Sequence, residues 1–285
     1  MPSIGVVVPT YNAQKHLQRC LKPLLHSSLK PEVLIVDSSS QDDTVKIAQE
    51  LGVKTHIIPK SSFNHGATRE WARNQLKTDI VVMITQDAYL ESEHALKCLI
   101  EPIVRNASSV TYGRQIPHAG ANILESFSRE FNYPAESHVR ALEDVQKHGV
   151  YTIFCSNSFA AYSQRALDEI GGFPRVRFGE DTLVVSKLIQ KGHKVAYVSE
   201  AIVRHSHAYS LKQDFVRNFE IGAMRKTHRE LIDVYGRDNA RGREYASQLV
   251  KKLIMEKPHL VPLGIAKLFS SWLGYKLGRF SVKVD

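Results

Sequence analysis

Three unbroken apolar runs, each followed at once by polar residues, constrain this chain more than anything else in it. Ile4-Gly5-Val6-Val7-Val8 gives way to Pro9-Thr10-Tyr11-Asn12, and Glu32-Val33-Leu34-Ile35-Val36 to Asp37-Ser38-Ser39-Ser40. Ile80-Val81-Val82-Met83-Ile84-Thr85 gives way to Gln86-Asp87-Ala88, and a shorter run, Thr55–Ile58, lies between the last two. Continuous rather than alternating apolar runs mark strands covered on both faces. Helical stretches separate them: Gln14 to about His26, Asp42 as a cap to Leu51 and Gly52, and residues 66–77. This β-α-β-α-β order predicts an α/β fold, a Rossmann-like and mostly parallel open sheet with helices on both faces. Such sheets bind ligands beyond the C-terminal ends of their strands, where the polar residues fall.

Beyond residue 110 the pattern is mixed. Strand-like pieces lie at Val110–Arg114, Tyr151–Cys155 and Lys194–Val198, and helical ones near 122–133, 137–147, 163–170 and 181–191. From about Leu211 everything reads helical, broken at Gly236 and around Pro258–Pro262. The expected division is a catalytic domain over 1–210 and a basic amphipathic helical extension over 211–285. The first would have a nucleotide-binding half to about 115 and an acceptor-binding half over 116–210.

Charge sharpens that division. Residues 1–208 carry 23 Lys/Arg against 21 Asp/Glu, whereas 209–285 carry 15 against 8. Basicity therefore belongs to the tail and points to an anionic partner. Cys20, Cys98 and Cys155 are odd in number and far apart, which argues for a reducing compartment over a disulfide framework. No signal-peptide pattern opens the chain, and no apolar stretch nears the ~18 residues of a spanning helix. The expected location is the cytoplasm.

Several residues could carry chemistry. No G-x-G-x-x-G follows the first strand, so a dinucleotide site fails. Asp37, at a strand end, could accept from a ribose hydroxyl or serve as a turn cap. Asp87, with Thr85 and Gln86 before it, suits a hard divalent cation that takes one or two carboxylates plus phosphates. Glu180-Asp181 opens a helix, where its dipole stabilises acids; either could also be a general base. His205-Ser206-His207 places two imidazoles on one face of an extended segment, a metal-ligand spacing.

The order of these pieces resembles the family-2 glycosyltransferases with the GT-A fold. Val7-Val8-Pro9-Thr10-Tyr11-Asn12 looks like that family's opening strand, and Val36-Asp37-Ser38-Ser39-Ser40-Gln41-Asp42-Asp43-Thr44 like its V-D-D-G-S-x-D-x-T segment. Gly66-Ala67-Thr68-Arg69 resembles its arginine helix, Thr85-Gln86-Asp87 takes the D-x-D place, and Gly172-Phe173 then Glu180-Asp181 match G-F then E-D. The resemblance covers roughly 3–210. It implies that Pro9, Thr10, Tyr11, Asp37, Arg69, Gln86 and Asp87 hold the donor nucleotide. It further implies that Asp87 with His205 or His207 binds Mg²⁺ or Mn²⁺, and that Asp181, beside Glu180, is the catalytic base. The 24-residue spacing from Asp181 favours His205. His65, Ser156 and Asn157 would line the sugar or acceptor pocket. Two positions depart from the pattern: Thr85 replaces the first Asp of D-x-D, and Ser38 the second of V-D-D.

The variant Thr85-Gln86-Asp87-Ala88, with Phe63-Asn64-His65-Gly66 and His205-Ser206-His207, looks like the bacterial rhamnosyltransferase branch. That implies an inverting enzyme using dTDP-β-L-rhamnose, and a lipid-linked glycan acceptor of surface-polysaccharide (O-antigen-like) assembly. Aromatic and aliphatic residues interleaved with lysines over 245–280 suit an anionic membrane surface, and so a peripheral position on the cytoplasmic face of the inner membrane. Packing on the catalytic domain, or on a second copy in a homodimer, would use the same faces. Rival readings are a UDP- or GDP-sugar transferase, a sugar-phosphate nucleotidyltransferase and a non-catalytic sugar-nucleotide or glycan-binding module. A nucleotidyltransferase would need a Gly- and basic-rich loop after the first strand, which Thr10–Gln14 lacks. No nucleic-acid recognition motif accompanies the charge.

Overall fold

The computed structural model describes residues 1–236 and 239–281. Among the described residues nine strands form one sheet: β1 (Ile4–Thr10), β2 (Glu32–Asp37), β3 (Lys54–Ile57), β4 (Ile80–Ile84), β5 (Tyr89–Leu90), β6 (Val110–Ile116), β7 (His138–Arg140), β8 (Phe159–Ser163) and β9 (Val195–Arg204). Their order is β3-β2-β1-β4-β8-β6-β9-β5, with β7 also on β9. The four strands expected from the apolar runs pair with one another in parallel. Beyond β4 the sheet changes character: β8 runs antiparallel to both β4 and β6, while β6 and β9 are parallel. The sheet is thus mixed, parallel in its first half and largely antiparallel in its second.

Helices α1 (Leu17–Leu25), α2 (Thr44–Glu50) and α3 (His65–Leu76) connect the early strands, and α4 (Ala95–Val104) packs on β6, β8 and β9. α1 and α4 bury apolar faces, whereas the buried face of α3 includes Thr68, Arg69 and Arg73. Leu17, Cys20, Leu21 and Leu24 of α1 join Val6, Val8, Ile35 and Val82 of the sheet in the main core. Burial of such side chains is worth about 1.5–3 kcal/mol each. The three cysteines are free thiols.

Some local expectations are corrected. Tyr151–Cys155 is not a strand: Gly149–Ile153 is a 3-10 turn, and the strand is β8, six residues later. Residues 137–147 are not one helix but β7, a 3-10 turn at Leu142–Asp144 and the single turn α6 (Val145–His148). Asp42 does not occupy the N-cap of α2, which is Asp43, although its side chain accepts from the Thr44 N–H at 3.1 Å.

The remaining helices are α5 (Ile123–Asn132), α7 (Gln164–Glu169), α8 (Glu180–Gln190), α9 (Leu211–Thr227), α10 (Arg229–Ile232), α11 (Asn239–Glu256) and α12 (Val261–Ser281). The chain divides into two compact units. One comprises 1–116, 133–143 and 153–205; the other 117–132, 144–152 and 206–285. The second unit thus gathers two earlier excursions around the tail, where a cut at 210 would be contiguous. Its small core joins Phe127 of α5 to Leu249 and Leu253 of α11. In the same unit α9 and α12 lie backbone to backbone. A Cβ at Gly274 would fall 2.3 Å from the Phe215 carbonyl oxygen, and one at Gly278 2.1 Å from that of Phe219. Among the described residues no helix is long and apolar enough to cross a membrane.

Candidate active site

Apart from His207, the geometry below lies within the first unit. β1 and β2 end in register, Thr10 opposite Asp37. The Asp37 carboxylate is fully buried and accepts three hydrogen bonds: from Thr10 Oγ1 at 2.8 Å, the Ser40 N–H at 2.8 Å and Ser40 Oγ at 2.6 Å. The turn after β2 passes through Ser39 at φ 58°, and Ser40 Oγ in turn accepts from the Asn12 N–H at 2.8 Å. Asp37 therefore binds the two strand-end loops together and exposes no surface of its own.

Tyr11 rises from the first of those loops. Its N–H donates to Gln86 Oε1 at 2.7 Å while Gln86 Nε2 donates back to its carbonyl at 3.2 Å, so one side-chain amide clamps its backbone both ways. Lys60 Nζ donates to the Tyr11 hydroxyl at 2.7 Å and lies 4.1 Å from the ring centre. Lys60 was not singled out from the sequence; a lysine after Pro59 carries no signal until the chain brings it over Tyr11.

The loop after β4 folds into a turn closed by the Ala88 N–H donating to the Thr85 carbonyl at 3.0 Å, which sets Asp87 at its third position. His205, directly after β9, approaches it, with Nε2 3.5 Å from Asp87 Oδ1. The other ring nitrogen, Nδ1, is 2.8 Å from Gln115 Oε1. Asp87 and His205 thus form a carboxylate–imidazole pair of the kind that could hold a metal ion. A carboxylate oxygen and an imidazole nitrogen are both common ligands of divalent metal ions. His207 belongs to the second unit, where its ring stacks on Tyr209.

α8 begins at Gly179, whose φ of 79° is natural only for glycine, and puts Glu180 and Asp181 in its first turn. Glu180 is buried and pairs with Arg69 Nη1 of α3 at 3.0 Å; it also accepts from Asn157 Nδ2 at 2.9 Å. Burial alone would raise its pKa, but Arg69, His65 and the Asn157 bond outweigh that and hold it below the ordinary glutamate value. Asp181 is the opposite. Loss of solvation, then the neighbouring Glu180 charge, push it up to about 6 against weaker bonds from the Thr182 and Asn157 N–H groups. Those bonds are 2.7 and 3.4 Å long.

Arg69 was expected against the base or diphosphate. In the structure it is buried, its guanidinium directed to Glu180 and to His65 Nδ1, 3.0 Å away. Asn157 lies under the acidic pair, fixed by Tyr162, whose hydroxyl donates to its Oδ1 at 2.7 Å. Ser156 accepts from Gln115 Nε2 at 3.0 Å. The structure therefore gathers the expected residues into three groups: Thr10–Tyr11–Asp37–Gln86, Asp87–His205, and His65–Arg69–Asn157–Glu180–Asp181. Pro9 is half-buried within β1. Gln115 belongs with the second group and carries no sequence signal, being one polar residue within a strand.

Known proteins resemble this chain in sequence and in fold. The family model described as Glycosyl transferase family 2 matches residues 5–171. The chain is 36% identical over 280 residues to the O-antigen chain rhamnosyltransferase RfbN of Salmonella typhimurium, covering 97% of this chain and 89% of that one. It is 35% identical to the O-antigen chain rhamnosyltransferase WbaN of Salmonella anatum, over 98% and 90%. In fold it is similar to the mannosyltransferase PcManGT from Pyrobaculum calidifontis in complex with GDP-Man and Mn²⁺. The TM-score is 0.60 at 15% identity, covering 99% of this chain and 76% of that one. Residues 1–349 of S. aureus TarS give a TM-score of 0.55 at 18% identity, over 98% and 90%. The mixed sheet, the motif order and these similarities lead to one conclusion: the chain belongs to glycosyl transferase family 2, as an enzyme with the GT-A fold.

Proposed function

We propose that the protein transfers L-rhamnose from dTDP-β-L-rhamnose to a hydroxyl of a lipid-linked glycan during O-antigen-like surface-polysaccharide assembly. The sugar is suggested by the two rhamnosyltransferases that resemble nearly the whole chain. One observation carries the chemistry: Asp181, its pKa raised to about 6, stands beside a Glu180 neutralised by Arg69. A base whose pKa lies near the working pH combines availability with proton affinity. The free-residue value near ~3.9, the starting expectation for an aspartate, would make it a poorer base.

In this reading the Asp181 carboxylate takes the proton of the acceptor hydroxyl. The acceptor oxygen bonds to the anomeric carbon as the bond from that carbon to the diphosphate breaks. The nucleoside diphosphate leaves with the bonding electrons, and one displacement inverts the carbon. Glu180 is the fixed neighbour, and Arg69 and His65 hold it; neither handles the proton. Asn157 orients the acid pair. Tyr11, held by Gln86, and Lys60 face the nucleotide, while Thr10 and Asp37 keep their loops in place. Asp87 and His205 would hold Mg²⁺ or Mn²⁺, which when bound neutralises charge developing on the leaving diphosphate.

The tail is assigned to an anionic membrane surface. On α12, Ile265, Phe269, Trp272 and Phe280 are each more than half exposed and lie on one helical face with Lys276. Lys251 and Lys257 are exposed nearby in sequence. An apolar face bordered by lysines is the pattern of interfacial helices. Calorimetry with dTDP, UDP and GDP, each with and without Mn²⁺, tests the donor. Tighter binding of dTDP, enhanced by Mn²⁺, is expected; preference for UDP or GDP removes the rhamnose reading, and binding of none removes transfer itself.

A further inference from the structure

We propose that Gln115 is a positioning residue that sets the tautomer of His205, so that its Nε2 lone pair faces Asp87 ready for a divalent cation. The inference rests on the metal reading of that pair. Gln115 lies near the end of β6, is 1% exposed, and sits beside β9 with Val203 as its register partner. The same pairing continues past the strand, where the His205 N–H donates to the Ile116 carbonyl at 2.9 Å. Backbone geometry thus fixes the spacing between the two side chains.

The chemistry follows from what each atom can do. An amide oxygen only accepts, so a 2.8 Å contact between Gln115 Oε1 and His205 Nδ1 requires the proton on Nδ1. The neutral ring then carries its lone pair on Nε2, the atom 3.5 Å from Asp87. The amide is held in this sense from its other end. Its Nε2 donates to Ser156 Oγ at 3.0 Å, and that oxygen also accepts from the Ser158 N–H at 3.4 Å. Ser156, Gln115, His205 and Asp87 form one line in which each group orients the next. Metal-bound histidines characteristically donate their second nitrogen to such an acceptor, and removing the acceptor costs about 10–100-fold in metal affinity. With Thr85 where the family has a first aspartate, the site offers one carboxylate there, which raises the demand on a well-oriented imidazole.

Two measurements test this on the intact chain. Mn²⁺ alone is titrated by electron paramagnetic resonance into wild type, His205→Ala, Gln115→Leu, Gln115→Glu and Ser156→Ala. His205→Ala should lose binding, and Gln115→Leu should weaken it about 10–100-fold. Ser156→Ala should weaken it less, and Gln115→Glu, which keeps an acceptor, should retain it. Nitrogen-15 spectra of the metal-free protein, with His205 assigned by its absence in His205→Ala, should show its Nε2 unprotonated in wild type and a tautomer mixture in Gln115→Leu. Equal Mn²⁺ affinity of Gln115→Leu and wild type while His205→Ala is impaired overturns the inference alone, as does a wild-type Nε2 that carries the proton. Undiminished binding by His205→Ala overturns the metal reading and the inference with it.

Discussion

Two carboxylates of this molecule, Asp37 and Asp181, each follow directly on a boundary of regular structure, yet they live in opposite circumstances. Asp37 closes a parallel strand, is wholly buried and accepts three short hydrogen bonds from Thr10 and Ser40. Asp181 lies in the first turn of a helix, accepts one short bond and two of 3.4 Å, and lies against another acid. A carboxylate whose acceptor positions are filled holds a loop; one that is desolvated and beside a like charge is left with proton affinity. Residue type is the same, so the surroundings divide the work between architecture and chemistry.

The sharpest way to break that comparison is to neutralise the second acid. Asp181→Asn should lower kcat by about 10²–10⁴-fold while nucleotide binding by calorimetry stays near wild type. Near-normal turnover would return Asp181 to a structural role. Next in size is Asp37→Ala, which strips acceptors from three donors. It should lower unfolding stability by about 1–3 kcal/mol in urea titration. It should also raise the donor KM more than it lowers kcat, because the loop carrying Tyr11 loses its anchor. A kcat loss as deep as that of Asp181→Asn would erase the distinction.

The pH dependence sharpens the same contrast. A raised folded pKa means that the reactive carboxylate is present above about 6 and is removed as pH falls through it. The kcat/KM profile should therefore drop on its acid side with an apparent pKa near 6, by about tenfold per pH unit below it. Because Glu180 and Asp181 interact, that value belongs to the pair. The mirror experiment touches neither acid: a Cβ at Gly66 would lie 1.7 Å from the Pro174 carbonyl oxygen. Gly66→Ala should cost about 1–3 kcal/mol by thermal or urea unfolding, with any activity loss tracking the unfolded fraction. Smallest is Phe269→Ser with Trp272→Ser, which should leave stability within about 0.5 kcal/mol of wild type while reducing co-flotation with anionic liposomes. Undiminished flotation would remove the membrane assignment.

How much of this was legible in the sequence follows from which contacts are local. The parallel half was legible because strands buried on both faces carry continuous apolar runs, and β1, β2 and β4 each do. β8, Phe159-Ala160-Ala161-Tyr162-Ser163, is small and mixed in character, and its place between β4 and β6 is set by partners about 50 and 80 residues away. The second unit was hidden because parts of it are inserted into the sequence of the first. Within the site, Asp87, Glu180, Asp181 and His205 could be placed by motif. The burial of Asp37 could not, nor could the turning of Arg69 toward Glu180, the raised pKa of Asp181, or the parts of Lys60 and Gln115. Each depends on a side chain from another element, whose distance no spacing rule encodes.

The helix pair of the tail sorts its residues by volume in reverse of a water-bathed domain. Glycines sit in the seam between α9 and α12, and Phe269, Trp272 and Phe280 of α12 point outward. Folding and surface are thereby uncoupled: the seam tolerates almost no added atom, while the outer face carries little of the structural load. Evolution can rewrite what the tail meets, residue by residue, without renegotiating how it folds.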